Sequence, residues 1–216
     1  MNRGKGMSKI SAILVTLAII FIAILGFQMM KDPYKILPID EKQPANLTAF
    51  DFQNWHEFSA PSGTFKVLLP GLPQRATENV DDPKTQEKRK YDMYVAQQDN
   101  GTIFMISLIT FPGLGSVEEE HEILKQIMND MVASNSSNKL NRTEEGDYKG
   151  HPSIDFSIEN GELTIDAKAF IVSEMLYVLT RIIKSKNYTR GEFLFFVNSF
   201  ELIPQSGKIS APVQVR

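Results

Sequence analysis

The sequence predicts an α/β domain of the α+β type, an antiparallel sheet flanked by helices, carried behind one N-terminal transmembrane helix. Three observations predict it. Residues 10–30, ISAILVTLAIIFIAILGFQMM, contain no charged side chain, and at about 1.5 Å per residue they are long enough to cross about 30 Å of hydrocarbon. Segments of strand length are separated by turn signals, among them Asn100-Gly101 and Asn160-Gly161, the dipeptide that most favours a hairpin. Two further segments, after Ser116 and after Tyr188, place their apolar residues three and four apart, as helices do.

Arg3, Lys5 and Lys9 precede the apolar segment. Positive charge is retained on the cytoplasmic side, so residues 1–9 are expected inside the cell membrane and everything after Lys31 outside, in a single-pass arrangement with lipid around residues 10–30. A cleaved signal peptide is the alternative. Its exit would carry small residues, whereas Phe27, Gln28, Met29 and Met30 are bulky, which favours a retained signal-anchor. Residues 31–54 read as a tether, broken by Pro33, Pro38 and Pro44. The remaining roughly 150 residues suffice for one two-layer core, taken as 55–203, with 204–216 as a flexible tail.

Within the domain, Phe65, Val67 and Leu69 alternate on one strand, and a Pro-Ser-Gly turn at 61–63 joins it to a strand around His56–Phe58. Residues 74–90 are charged and rich in turn formers and are expected to be irregular. Tyr91–Gln98 and Thr102–Phe111 form the hairpin about Asn100-Gly101. The second arm is apolar on both faces, which predicts a central strand with a helix over one side. Ser116 and Glu119 have capping-box spacing, with Glu118, Glu119 and Glu120 in the first turn, and Leu124, Ile127, Met128, Met131 and Val132 supply the apolar stripe. An irregular strand over 141–148 follows, then a strand from His151 to Glu159. Residues 163–171 alternate, with Leu163, Ile165, Ala167, Ala169 and Ile171 set against Thr164, Asp166 and Lys168, which predicts a strand with one wet face. Met175–Ile183 is a nearly continuous apolar strand. A second helix is expected over 189–200, carrying Phe193, Phe196, Val197 and Phe200 inward. Phe65, Phe156 and Phe196 are the expected buried anchors.

The frame FSAPSGTFKVLLPGLPQ, the aromatic hairpin about Asn100-Gly101, the helix after Ser116, and LYVLTRIIKS followed by a helix ending in FVNSFELI together resemble the PsbP-like domains over about Trp55–Ile203. The resemblance implies an antiparallel sheet with flanking helices and a non-enzymatic accessory or assembly role at a membrane surface.

The chemistry-bearing residues are few. The chain has no cysteine, so disulfides and thiolate chemistry are excluded, and a formal net charge of −3 with mixed signs gives no basic field for nucleic acid. Its three histidines, His56, His121 and His151, lack ligand spacing. No Gly-x-Ser-x-Gly, phosphate loop or dinucleotide fingerprint occurs. Catalytic residues, metal and cofactor are therefore all expected to be none. Asp155, Glu159, Glu162 and Asp166 approach one another about the second hairpin, with Glu159 expected opposite Glu162. They read as a solvated sheet face balanced by Lys168, with a calcium or acid-base site as the alternative.

A tethered domain of this kind acts by contact. Its expected function is that of an extracytoplasmic binding or assembly module with a protein partner at the membrane. The alternatives are a structural subunit domain of a cell-envelope complex and, less favoured, a hydrolase. Contact energy concentrates in aromatic and arginine anchors, and Tyr91, Tyr94, Tyr177 and Arg181 are the candidates for a binding surface. The competing reading makes them core residues.

Overall fold

The computed structural model describes residues 52–81, 88–111 and 116–204. The membrane segment expected at 10–30, the cytoplasmic 1–9, the tether as far as 51 and the tail from 205 lie outside the described residues. Among those described, no helix is long and apolar enough to cross a membrane.

Among the described residues, ten strands and two α-helices make three layers. The strands are β1 (His56–Ser59), β2 (Phe65–Leu69), β3 (Gln74–Asp81), β4 (Lys88–Gln97), β5 (Ile103–Thr110), β6 (Asn138–Tyr148), β7 (His151–Asn160), β8 (Leu163–Val172), β9 (Met175–Lys184) and β10 (Glu201–Leu202). The helices are α1 (Val117–Ala133) and α2 (Arg190–Ser199). A seven-stranded antiparallel sheet in the order β3-β4-β5-β9-β8-β7-β6 forms the middle layer. Helix α1 packs on one face, over β6, β7 and β8. The other face is covered by α2 and a small sheet, β1-β2-β10. The antiparallel sheet flanked by helices is thus the architecture found.

Local chemistry explains most boundaries. Ser116 accepts from the Glu119 backbone N–H at 3.2 Å and Glu119 Oε2 accepts from the Ser116 N–H at 3.2 Å, closing the capping box. Leu124, Ile127 and Met128 are buried against the sheet. The hairpin loop at Asp99-Asn100-Gly101 has three residues rather than two. Its N–H of Gly101 donates to the Gln98 carbonyl and Gly101 takes φ 85°, the left-handed position that ends such a loop. Between β6 and β7 both Lys149 (φ 55°) and Gly150 (φ 87°) are left-handed, as a type I′ turn requires. Helix α2 starts after Thr189 and buries Phe193, Phe196 and Val197. Phe65, Phe156 and Phe196 are each fully buried.

Five sequence expectations need correction. Residues 74–81 form β3, paired with β4 from Gln74↔Val95 to Asp81↔Lys88. This edge strand has no covered face of its own and so lacks apolar alternation; cross-strand bonds from Thr77 and Arg75 to Asp92 replace it. Glu201–Leu202 adds β10 to β2, too short to show a period. The core begins inside the presumed tether, because Phe52 stacks on Phe195 with centroids 3.7 Å apart. Glu159 lies opposite Thr164, not Glu162, since the loop is Gly161-Glu162 and Asn160 pairs with Leu163. The expected wet face of 163–171 is buried: Asp166 is 0% exposed and Thr164 6%, because α2 and the segment before it close over that end of the sheet.

Candidate functional site

The two faces of the seven-stranded sheet carry different chemistry, and the four sequence-derived contact residues divide between them. Tyr91 lies in the cluster under α1 with Ile109 and Phe111. Tyr94, Tyr177 and Arg181 lie on the opposite face. Tyr94 packs among Phe58 at 5.4 Å and Phe65 at 5.5 Å, and Tyr177 stacks on Phe170 at 5.2 Å with an interplanar angle of 7°. Burial is the largest influence on the Tyr94 and Tyr177 phenols and pushes both above the ordinary tyrosine value. With exposures of 4%, 1%, 4% and 0% for Tyr91, Tyr94, Tyr177 and Arg181, these side chains present no surface to a partner. The correction has a physical reason. Aromatic side chains at strand positions of a two-faced central sheet are buried whichever way they point.

Arg181 closes a buried ion cluster. Its NH2 donates to Asp166 Oδ2 at 2.5 Å, and its NH1 donates to the Thr189 carbonyl at 2.6 Å and to Glu192 Oε2 at 3.3 Å. The Tyr188 hydroxyl donates to Asp166 Oδ1 at 3.2 Å. Asp166↔Arg181 is a cross-strand pair of β8 and β9, while Glu192 sits in the first turn of α2. The guanidinium thus binds the sheet to the start of α2. Lys168 meets Asp155 in a separate, shallower pair, with side chains 12% and 18% exposed. Of the carboxylates expected to share a solvated face, Asp155 and Asp166 are each matched to a cation, while Glu159 and Glu162 remain exposed at the end of the hairpin.

A third charged cluster marks the β3–β4 edge. Asp92 accepts from Thr77 Oγ1 at 2.6 Å and from Arg75 NH2 at 2.6 Å, and it pairs with Lys90 at 2.9 Å. Burial opposes its ionised form, but the bonds from Thr77, Lys90 and Arg75 outweigh burial and hold the carboxyl below its ordinary value. Its contribution to stability is accordingly complete above the ordinary carboxylate pKa and is lost as pH falls through the depressed folded value. Histidines do not converge: His56 is in β1, His121 in α1 with its Nδ1 2.9 Å from the Val117 carbonyl, and His151 opens β7. Among the described residues, no group of three or more His, Asp or Glu is placed to hold a metal ion.

Among the described residues, a groove lies on the α1 face. Because α1 covers β6, β7 and β8, the part of the face nearer β4 and β5 is left as a groove of about 120 Å³ beside the helix. Sheet register explains its shape. One row across the strands reads Met93, Ser107, Val178, Ala169, and the next reads Met105, Thr180, Ala167, Phe156. Small side chains at the middle of both rows form a floor, and Met93, Met105 and Met131 stand as walls with isoleucines at the ends. Ser134 and Asn138, where α1 gives way to β6, form the rim. Thr180 is 1% exposed and its Oγ1 has no hydrogen-bond partner. Sequence reasoning missed this groove. The signal available was small or hydroxylated residues, Ser107 and Thr180, inside the two most apolar strands.

No family model and no curated protein matches the chain in sequence. In structure it is similar to cyanobacterial PsbP (CyanoP) from Synechocystis sp. PCC 6803. That solution structure aligns with 75% of this chain and 98% of its own, at 12% identity and a TM-score of 0.43.

Proposed function

We propose that the protein is a non-enzymatic, membrane-tethered extracytoplasmic binding module whose α1-side groove receives an apolar anchor of a protein partner. The groove supports this reading by its size. About 120 Å³ is below the range of whole-ligand pockets, about 300 Å³ and up, and near the roughly 150 Å³ that accommodates one benzene ring. It fits one inserted side chain, the unit from which contact hot spots are made. Methionine walls suit such a role because an unbranched thioether re-packs around what enters. The binding role thereby passes from Tyr91, Tyr94, Tyr177 and Arg181 to the groove, and the four are buried supports of the sheet, Tyr91 on the groove's own face and the other three on the opposite one.

The topology belongs to the same proposal: residues 1–9 cytoplasmic, 10–30 in the membrane, and the domain outside. Protease added to intact spheroplasts is expected to remove a C-terminal epitope, the whole population being accessible. An epitope protected until the membrane is permeabilised overturns this orientation.

A photo-crosslinking side chain tests the groove. Placed at the exposed rim position Ser134 of the full-length chain in its membrane, it is expected to give a discrete adduct. Placed at Leu194, 40% exposed on α2 across the sheet, it is expected to give none. Adducts of equal yield from both positions, or from neither, overturn the groove as the contact surface.

A further inference from the structure

We propose that the outer strand β6 is a docking edge for a second copy of this chain, which adds its own β6 antiparallel about a two-fold axis at Thr143. The groove plays no part in this, and either surface can fail alone. β6 closes one end of the seven-stranded sheet and has 11 residues, about twice the usual strand length. Its neighbour β7 runs beside it from Asn138↔Asn160 to Tyr148↔His151 and satisfies one side of its backbone. On the other side every second N–H and C=O points away from the sheet, the template that an added strand uses. From Lys139 to Asp147 every residue except Arg142 is exposed, so a strand can approach along the whole length.

The order of charges selects the strand that pairs. Lys139 and Arg142 lie in the first half of β6, and Glu144, Glu145 and Asp147 in the second. Two copies laid antiparallel bring the basic half against the acidic half, whereas two laid parallel in register bring like against like. A two-fold axis through the sheet keeps each side chain on its own face, so it must pass beside a residue that stands opposite itself. At Thr143 it sets Thr143 against Thr143 and Arg142 against Glu144 on both sides, hydroxyl and opposite-charge pairs of the kind that stabilise adjacent strands. At Arg142, Glu144 or Glu145 it would set like charges directly opposite. Arg142 can turn to this task, because its contact with Glu144 of its own chain is long, 3.5 Å. The register with β7 shifts between Leu140 and Arg142. A bulge and edge charges are the means by which a sheet resists indiscriminate strand addition, so the strand admitted is one that answers the charge order. The opposite edge, β3, has no such order: Arg75 is held by Asp92 at 2.6 Å, and the remaining charges, Glu78 and Asp81, are both acidic.

The chain has no cysteine, so single cysteines report contacts without background. In the full-length chain in detergent solution, Thr143→Cys is expected to give a disulfide-linked dimer under mild oxidation. Directly opposed residues of an antiparallel pair stand about 4.5 to 5.5 Å apart, within the Cα spacing that a disulfide spans. Lys139→Cys, roughly 25 Å from its own copy in this register, and Asn79→Cys on the β3 edge are expected to give none. Added to Thr143→Cys, Arg142→Glu should slow dimer formation by about tenfold or more, since two opposed pairs turn repulsive, and further addition of Glu144→Arg should bring it back to within about threefold. The exchange restores the pairing without restoring either natural residue, so recovery separates docking from folding. Sedimentation of the natural chain, expected to show association that Arg142→Glu abolishes, decides the matter should Thr143→Cys fail to fold. The proposal is overturned by a folded Thr143→Cys chain that yields no dimer, by equal yields from Thr143→Cys and Lys139→Cys, by dimer from Asn79→Cys alone, or by a natural chain that sediments as a monomer throughout.

Discussion

Replacing Arg181 by alanine is expected to destabilise the domain by about 3 to 5 kcal/mol, the effect of breaking a buried ion pair by removing one partner. The guanidinium is 0% exposed and answers two carboxylates, Asp166 at 0% and Glu192 at 7%. Its removal strands both, along with the Thr189 carbonyl it caps at 2.6 Å. At about 2 to 4 °C per kcal/mol for a domain of this size, the melting temperature should fall by roughly 6 to 20 °C. A loss below about 1 kcal/mol would mean that water enters and solvates the carboxylates, and the cluster would then not be a clamp. The contrasting variant removes the charges together. Arg181→Met with Asp166→Asn and Glu192→Gln should recover a large part of the loss, since an apolar or neutral replacement of a whole buried cluster avoids the desolvation that makes the half-broken cluster costly. A triple variant no more stable than Arg181→Ala alone would show that the contribution comes from packing against the Tyr188 and Phe193 rings, 5.2 and 5.9 Å from Cζ, and not from charge.

That cluster also shows where the sequence is silent. Asp166 follows strict alternation and reads as outward-facing, yet the outward side of β8 is covered because the chain returns through Tyr188–Thr189 and α2 to lie on it. Alternation distinguishes the two faces of a strand but not which of them is wet when both are covered. The elements with a strong local signal are legible: the capping box at Ser116, the stripe of α1, the period change at α2 and the alternating β2. The polar edge strand β3 and the two-residue β10 are not, since pairing with a neighbour decides them and no period marks them. The groove is legible least of all. Its floor joins Ser107 and Thr180 from strands distant in sequence, and its opening depends on where α1 lies, which no residue of the helix states by itself.

Phe156→Ala should carry a loss of about 3 to 5 kcal/mol, the cost of deleting a buried ring where the site cannot collapse. Phe156 is 0% exposed on β7 within the cluster beneath α1. Its cross-strand neighbour on β8 is Ala167, also 0% exposed, and the next residue in that row is Thr180 in the floor of the groove. Small side chains on that side have nothing to extend into the space a ring leaves, and the opposite wall is the buried stripe of a capped helix held by its own backbone. The cavity should therefore persist rather than close. Phe156→Leu, which keeps most of the volume, should cost clearly less, since the penalty grows with the space left empty. Denaturant unfolding of the three proteins gives the values, and an unchanged slope with a lower midpoint marks a loss of native stability rather than a change in the unfolded chain. An alanine variant within about 1 kcal/mol of the natural chain would show that α1 settles onto the sheet when the ring is gone. In that event the helix is a movable cover, and the groove at its side would be a variable opening instead of a fixed receptor for one side chain.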